Sequence, residues 1–170
     1  MSLKGNYQRI KKIIEKYLTK LESISDEQWQ ATPPIGGWSY CEVYFHIFDS
    51  SILTNQTMLD SATGNGEKKP THFIVKLILF MGVLPPGKKF KAPKRLAERL
   101  KKVSKAEARQ LIENFLKQLE AGFPQLIHAD PTIKTPHPRM GYFNAFQWLR
   151  FMGIHLNHHL KQLDRIEKSF

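Results

Sequence analysis

The chain has 170 residues, 41% of them hydrophobic and 24% charged, which is the composition of an ordinary globular domain and excludes a disordered or fibrous chain. One domain with a single core is expected across 1–170. The lone cysteine, Cys41, excludes an intramolecular disulfide. With no apolar leader in MSLKGNYQRIKK, it points to a reducing compartment, the cytoplasm.

The net charge of +11 sits in one place. Residues 68–105 carry 12 Lys/Arg and one acid, Glu98, while the remainder carries 14 of each sign. Basicity of this kind can attract an anionic substrate, an acidic membrane or nucleic acid, and a solvated lysine-rich loop is the plain alternative. Phe90 is the sole aromatic in 82–105, which argues against a single-strand nucleic-acid partner.

In chain order, apolar Ile10, Ile13, Ile14, Tyr17, Leu18 and Leu21 recur at three and four and predict a helix from about Leu3 to Leu21. Ser25-Asp26-Glu27-Gln28 has the form of a capping box and opens a short second piece. Pro33-Pro34 and Gly36-Gly37 break the chain. Ser39, with Glu42 three residues on, starts a helix running to about Gly64, whose inward row reads Val43, His46, Ile47, Ser50, Leu53 and Thr54. The apolar run Phe73–Leu84 is too short to span a bilayer, which needs about 20 residues. It reads as a buried helix over Phe73–Met81, with a surface-dipping segment as the other reading.

Gly82, Pro85, Pro86, Gly87 and Pro93 predict a long irregular excursion. Ser104 and Glu107 box the start of the next helix, which Gly122 and Pro124 are expected to end near Ala121. Asn144 and Gln147 box the last helix, to about Ile166. No alternating run predicts a sheet. The fold class is all-α, a four-helix bundle with long crossover connections.

The chemistry lies in the histidines. His155 and His159 are four apart, so they share a helix face with about 6 Å of rise between them, the arrangement of helical H-x-x-x-H metal sites. Both continue the row Trp148, Met152, Gln162, Ile166. His158 is turned about 100° from His159, although an i,i+3 pair of His155 and His158 is also open. His46 lies in the inward row of an earlier helix and can complete a three-histidine set. The bland reading of each is a core histidine satisfied by a carbonyl. His72, His128 and His137 fall in loops or at element ends and read as non-ligands. Glu42, Asp49 and Gln162 are the candidates to orient the ligands from behind, with helix capping the competing role of Glu42. Trp38 and Trp148 read as core or pocket walls, and Cys41 as a small buried residue.

Two stretches carry a family resemblance. Trp38-Ser39-x-x-Glu42-x-x-x-His46-Ile47 resembles the start of the second helix in the DinB/YfiT-like superfamily, and His155-x-x-x-His159-x-x-Gln162 resembles its last helix. His137-Pro138-x-x-Gly141, Trp148 and His155-Leu-Asn-His158-His159-Leu-Lys-Gln162 resemble a DinB-like subfamily of bacterial proteins. The resemblance implies a four-helix bundle with unusual connectivity. It also implies a divalent-metal centre, zinc or nickel, whose ligands become His46, His155 and His159. Related members include transferases and isomerases that use bacillithiol, mycothiol or glutathione. It therefore implies a metal-dependent enzyme that activates water or a low-molecular-weight thiol, as a hydrolase or thiol S-transferase, and the basic 68–105 segment would bring in a small, anionic substrate. The other reading is a non-catalytic metal-binding bundle. No catalytic residue beyond the ligands is assigned, and a homodimer is the expected assembly.

Overall fold

Short polar side chains start most of the helices. Ser2 accepts from the Gly5 amide ahead of α1 (Leu3–Ser23), and Ser25 accepts from Gln28 ahead of α2 (Asp26–Gln30). Glu42 accepts from the Ser39 amide and hydroxyl at the start of α3 (Tyr40–Ala62). Helix α4 (Phe73–Met81) ends on Gly82, whose φ of 72° favours glycine. Capping boxes at Ser104/Glu107 and Asn144/Gln147 open α5 (Lys105–Ile127) and α6 (Ala145–Glu167). These elements come from a computed structural model that describes residues 2–85 and 99–170. Most of the excursion expected after Gly82 lies outside the described residues.

Side-chain pairs give the helix directions. Lys11 with Glu120 and Glu22 with Arg109 set α1 antiparallel to α5. The Tyr17 hydroxyl donates to the Leu156 carbonyl and Lys20 pairs with Asp164, so α1 runs parallel to α6. Phe48 meets Phe115, and Leu59 covers Gly122, so α3 and α5 also point the same way. Helices α1 and α3 form one diagonal of the bundle, α5 and α6 the other. The parallel pair α3 and α5 explains the long 63–104 connection, because the chain must return the length of a 23-residue helix, about 35 Å. Short loops serve antiparallel neighbours, and this topology cannot use one there.

The core is aromatic at the α1/α3/α5 junction. Tyr17 meets Tyr44 and Phe48 edge-on, with centroids 5.5 and 5.1 Å apart. Their buried hydroxyls are satisfied, Tyr17 on the Leu156 carbonyl and Tyr44 on the Tyr17 carbonyl, both at 2.8 Å. Cys41 is buried beside the Ser39 hydroxyl, as a small packing residue.

Four expectations are corrected. Helix α5 passes Gly122 and Pro124 and stops at Ile127. Gly122 packs under Leu59, whose Cδ2 would lie 2.7 Å from a Cβ there, and Pro124 removes one backbone hydrogen bond near the end of the helix only. A small antiparallel hairpin, β1 (Thr135–His137) with β2 (Gly141–Phe143), was not expected. Three-residue strands are too short to show alternation. Leu53 is exposed, since the buried row of α3 drifts to Ser51, Asn55 and Met58. Helix α4 buries only Val75 and Ile78 and leaves Phe73, Ile74, Leu77, Phe80 and Met81 in solvent. Among the described residues, no helix is long and apolar enough to cross a membrane.

Candidate metal centre

Antiparallel packing of α3 on α6 brings the histidines together. His46 comes from the second turn of α3, and His155 and His159 come from successive turns of α6. One ring nitrogen from each lies within 4.8 Å of the other two, and this is the only such histidine, cysteine or carboxylate group among the described residues. The His155 and His159 Nε2 atoms are 3.1 Å apart. His46 lies 5.0 Å from His159 and 5.8 Å from His155 between ring centroids.

The rings are held from behind. Gln162 Oε1 lies 2.8 Å from His159 Nδ1 and accepts its proton, which turns the Nε2 lone pair toward His155. Phe151 stacks on His155 at an interplanar angle of 13°, and Trp38 sits 4.9 Å from the His46 ring. Phe151 was missed in the sequence, although its i,i+4 spacing to His155 was the available signal.

Burial keeps all three imidazoles neutral. Desolvation is the main cause that lowers the pKa of His46, against which the Asp49 charge acts. Desolvation lowers His155 and His159 further, and the neighbouring histidines add to it. Neutral imidazole is the ligating form, so the environment favours coordination over protonation at neutral pH.

Two of the three orienting candidates do something else. The Glu42 carboxylate caps α3 at Ser39, and Asp49 forms a two-point pair with Arg99, at 2.9 and 2.6 Å. Among the described residues, neither hydrogen-bonds His46. Spacing put both within reach, but a backbone amide and a guanidinium compete better for a carboxylate than a neutral ring does. Gln162 alone contacts a ring of the cluster.

The other histidines stay out. His158 is exposed, with its ring edge-on to His159 at 5.2 Å. His137 packs against Phe143, Trp148 and Phe151, and its Nδ1 accepts from the Arg139 amide. Burial pushes its pKa down to about 4. Trp148 is a wall, its indole donating to Thr135.

A family model described as the DinB superfamily matches residues 9–163. The chain belongs to the DinB superfamily. Among its relatives is the uncharacterized protein YuaE of Bacillus subtilis (strain 168), 27% identical over 155 residues that cover 88% of this chain and 90% of YuaE. The fold is similar to the crystal structure of TT2238, a four-helix bundle protein, with a TM-score of 0.62 at 18% identity over 96% of this chain and 99% of TT2238. Proteins of the DinB superfamily are generally metal-associated, and the histidine cluster of this member has a donor set that suits an ion. Zinc–imidazole bonds of 2.0–2.1 Å at tetrahedral angles separate ligand nitrogens by about 3.3 Å. The His155–His159 spacing of 3.1 Å is close to that.

Proposed function

We propose that the chain is a single-domain, cytoplasmic, metal-dependent enzyme that holds one divalent ion, zinc or nickel, on His46, His155 and His159. The observation that carries this reading is the convergence of three buried or half-buried, uncharged imidazoles from two helices on one point. Three imidazoles leave coordination positions for a small molecule, in the manner of catalytic sites. His46, His155 and His159 would hold the ion, which would supply Lewis acidity for activating water or a thiol. The protein's own contribution is orientation and exclusion of water. Gln162 fixes the His159 tautomer, Phe151 and Trp38 wall the rings, and burial holds the imidazoles neutral.

The substrate class we infer is a small anion or a carboxylated low-molecular-weight thiol, for hydrolysis or thiol S-transfer. Support comes from the cations on the α3 residues that flank His46 in sequence: Lys101 lies over the Phe45 ring at 5.3 Å, and Arg99 is bound at Asp49. One observation favours a non-catalytic metal-binding bundle instead. The nearby carboxylates Glu42 and Asp49 are both engaged, leaving neither free as a general base.

Metal analysis of untagged protein tests the site, comparing the wild type with His155→Ala. About one ion per chain in the first and almost none in the second is the expected result. Equal content in both would sink the ligand assignment. A screen of thiols with a model electrophile then separates enzyme from binding module.

A further inference from the structure

Helix α4 is apolar on every side except at Lys76. Val75 and Ile78 face the bundle, while Phe73, Ile74, Leu77, Phe80 and Met81 lie within an arc of about 120° on the outer side. Phe73, Ile74 and Phe80 are 78, 68 and 86% exposed, values usual for lysine and rare for three large apolar residues on one short helix. The helix is fastened in place. Arg150 donates to the Leu79 carbonyl at its C-terminus, and Gly82 turns so close to this guanidinium that a Cβ would meet it at 2.5 Å. The Thr71 hydroxyl, just before α4, bonds the Tyr142 carbonyl and Gln147. An apolar stripe is thus presented on an anchored helix.

Positive charge flanks the stripe along the sequence. Lys76 flanks it on α4, and exposed Lys68 and Lys69 precede it. The sequence after Pro85 adds Lys88, Lys89, Lys91, Lys94 and Arg95, with Glu98 the only acid before Arg99. Large apolar side chains bordered by lysine are what the interface of an anionic bilayer takes up, with the rings among the acyl chains and the ammonium groups at the headgroups. A second copy of the chain fits less well. It would bring like charges together, and a stable dimer needs roughly 20–30 residues a side, more than a nine-residue helix offers. Nucleic acid would use the lysines and could stack only on Phe73 and Phe80, leaving Ile74, Leu77 and Met81 unused.

We propose that α4 docks the protein peripherally on a membrane surface rich in anionic lipid, lying in the plane of the interface. The helix is about 13.5 Å long and dips in without crossing.

The test is flotation of the full chain with vesicles of phosphatidylcholine alone and of phosphatidylcholine with phosphatidylglycerol in equal parts. The wild type is expected to bind the anionic vesicles about tenfold or more tightly than the neutral ones, with binding falling as salt rises. The double variant Ile74→Asp/Phe80→Asp should lose about tenfold or more of that binding. Its helical circular dichroism and melting temperature should stay those of the wild type, since both positions are solvent-facing. Three results would overturn the proposal. One is no binding to anionic vesicles. A second is binding that the double variant retains, which is adsorption by charge alone. The third is a dimer, or a DNA complex, formed without vesicle binding.

Discussion

The histidine cluster and helix α4 depart from ordinary partitioning in opposite directions. In the cluster, polar rings lie inside the bundle between α3 and α6; on α4, large apolar side chains lie outside it. Burying imidazoles costs desolvation free energy, and exposing phenylalanines forgoes burial. The Tyr17, Tyr44, Phe48 and Phe115 core shows what the same fold does where stability alone is served, with apolar rings enclosed and each buried hydroxyl bonded. On our reading the two exceptions point to what the molecule meets: an ion within and a lipid surface without.

The comparison breaks most visibly if metal is withheld. Saturating zinc or nickel, at about a thousandfold over its Kd, should stabilise the wild type by about 4 kcal/mol. His159→Ala should abolish that gain, and calorimetric melting with and without metal reads it directly. Acid should act next. Folded His137 titrates at about 4 rather than 6.5 because it is buried, so between those values the unfolded chain binds the extra proton. Its contribution is complete above about pH 6.5 and is lost as pH falls toward 4, by about 3 kcal/mol at most. His46, His155 and His159 shift in the same direction and add to the loss. Urea denaturation across this range should show the slope, and His137→Phe should make it shallower by the share of that one group, leaving the part due to the other three histidines.

Smaller effects sharpen the contrast. Gln162→Ala removes the acceptor behind His159 and should weaken metal binding by about 10- to 100-fold. The metal-free protein should change by less than about 1 kcal/mol, a split that a purely structural glutamine would not give. Phe80→Asp on the outer stripe should alter stability by no more than about 0.5 kcal/mol, whereas Val75→Asp on the inner side of the same helix should cost several times that. Equal costs at the two positions would mean that α4 is covered on both faces.

Much of this was legible locally. Capping boxes at Ser39, Ser104 and Asn144 fixed where three of the long helices begin, and three-and-four spacing put His155 and His159 on one face. His46 was legible as an inward residue, and the family motifs joined it to the pair. What was hidden depends on partners distant in sequence. Gly122 reads as a helix stop until Leu59 is seen against it. Asp49 sits three residues from His46, yet Arg99, fifty residues on, takes its carboxylate. The apolar run of α4 carries a clear helical signal, but a pattern records which residues avoid water and says nothing of what covers them. The hairpin was hidden because its three-residue strands exist only through pairing with each other and packing beside Trp148.

The most direct measurement is X-ray absorption at the metal edge of the zinc-loaded protein, for the wild type and His46→Ala. The account predicts an all nitrogen and oxygen first shell with three imidazoles, falling to two in the variant. A sulfur ligand from Cys41, or an imidazole count unchanged by His46→Ala, would contradict it.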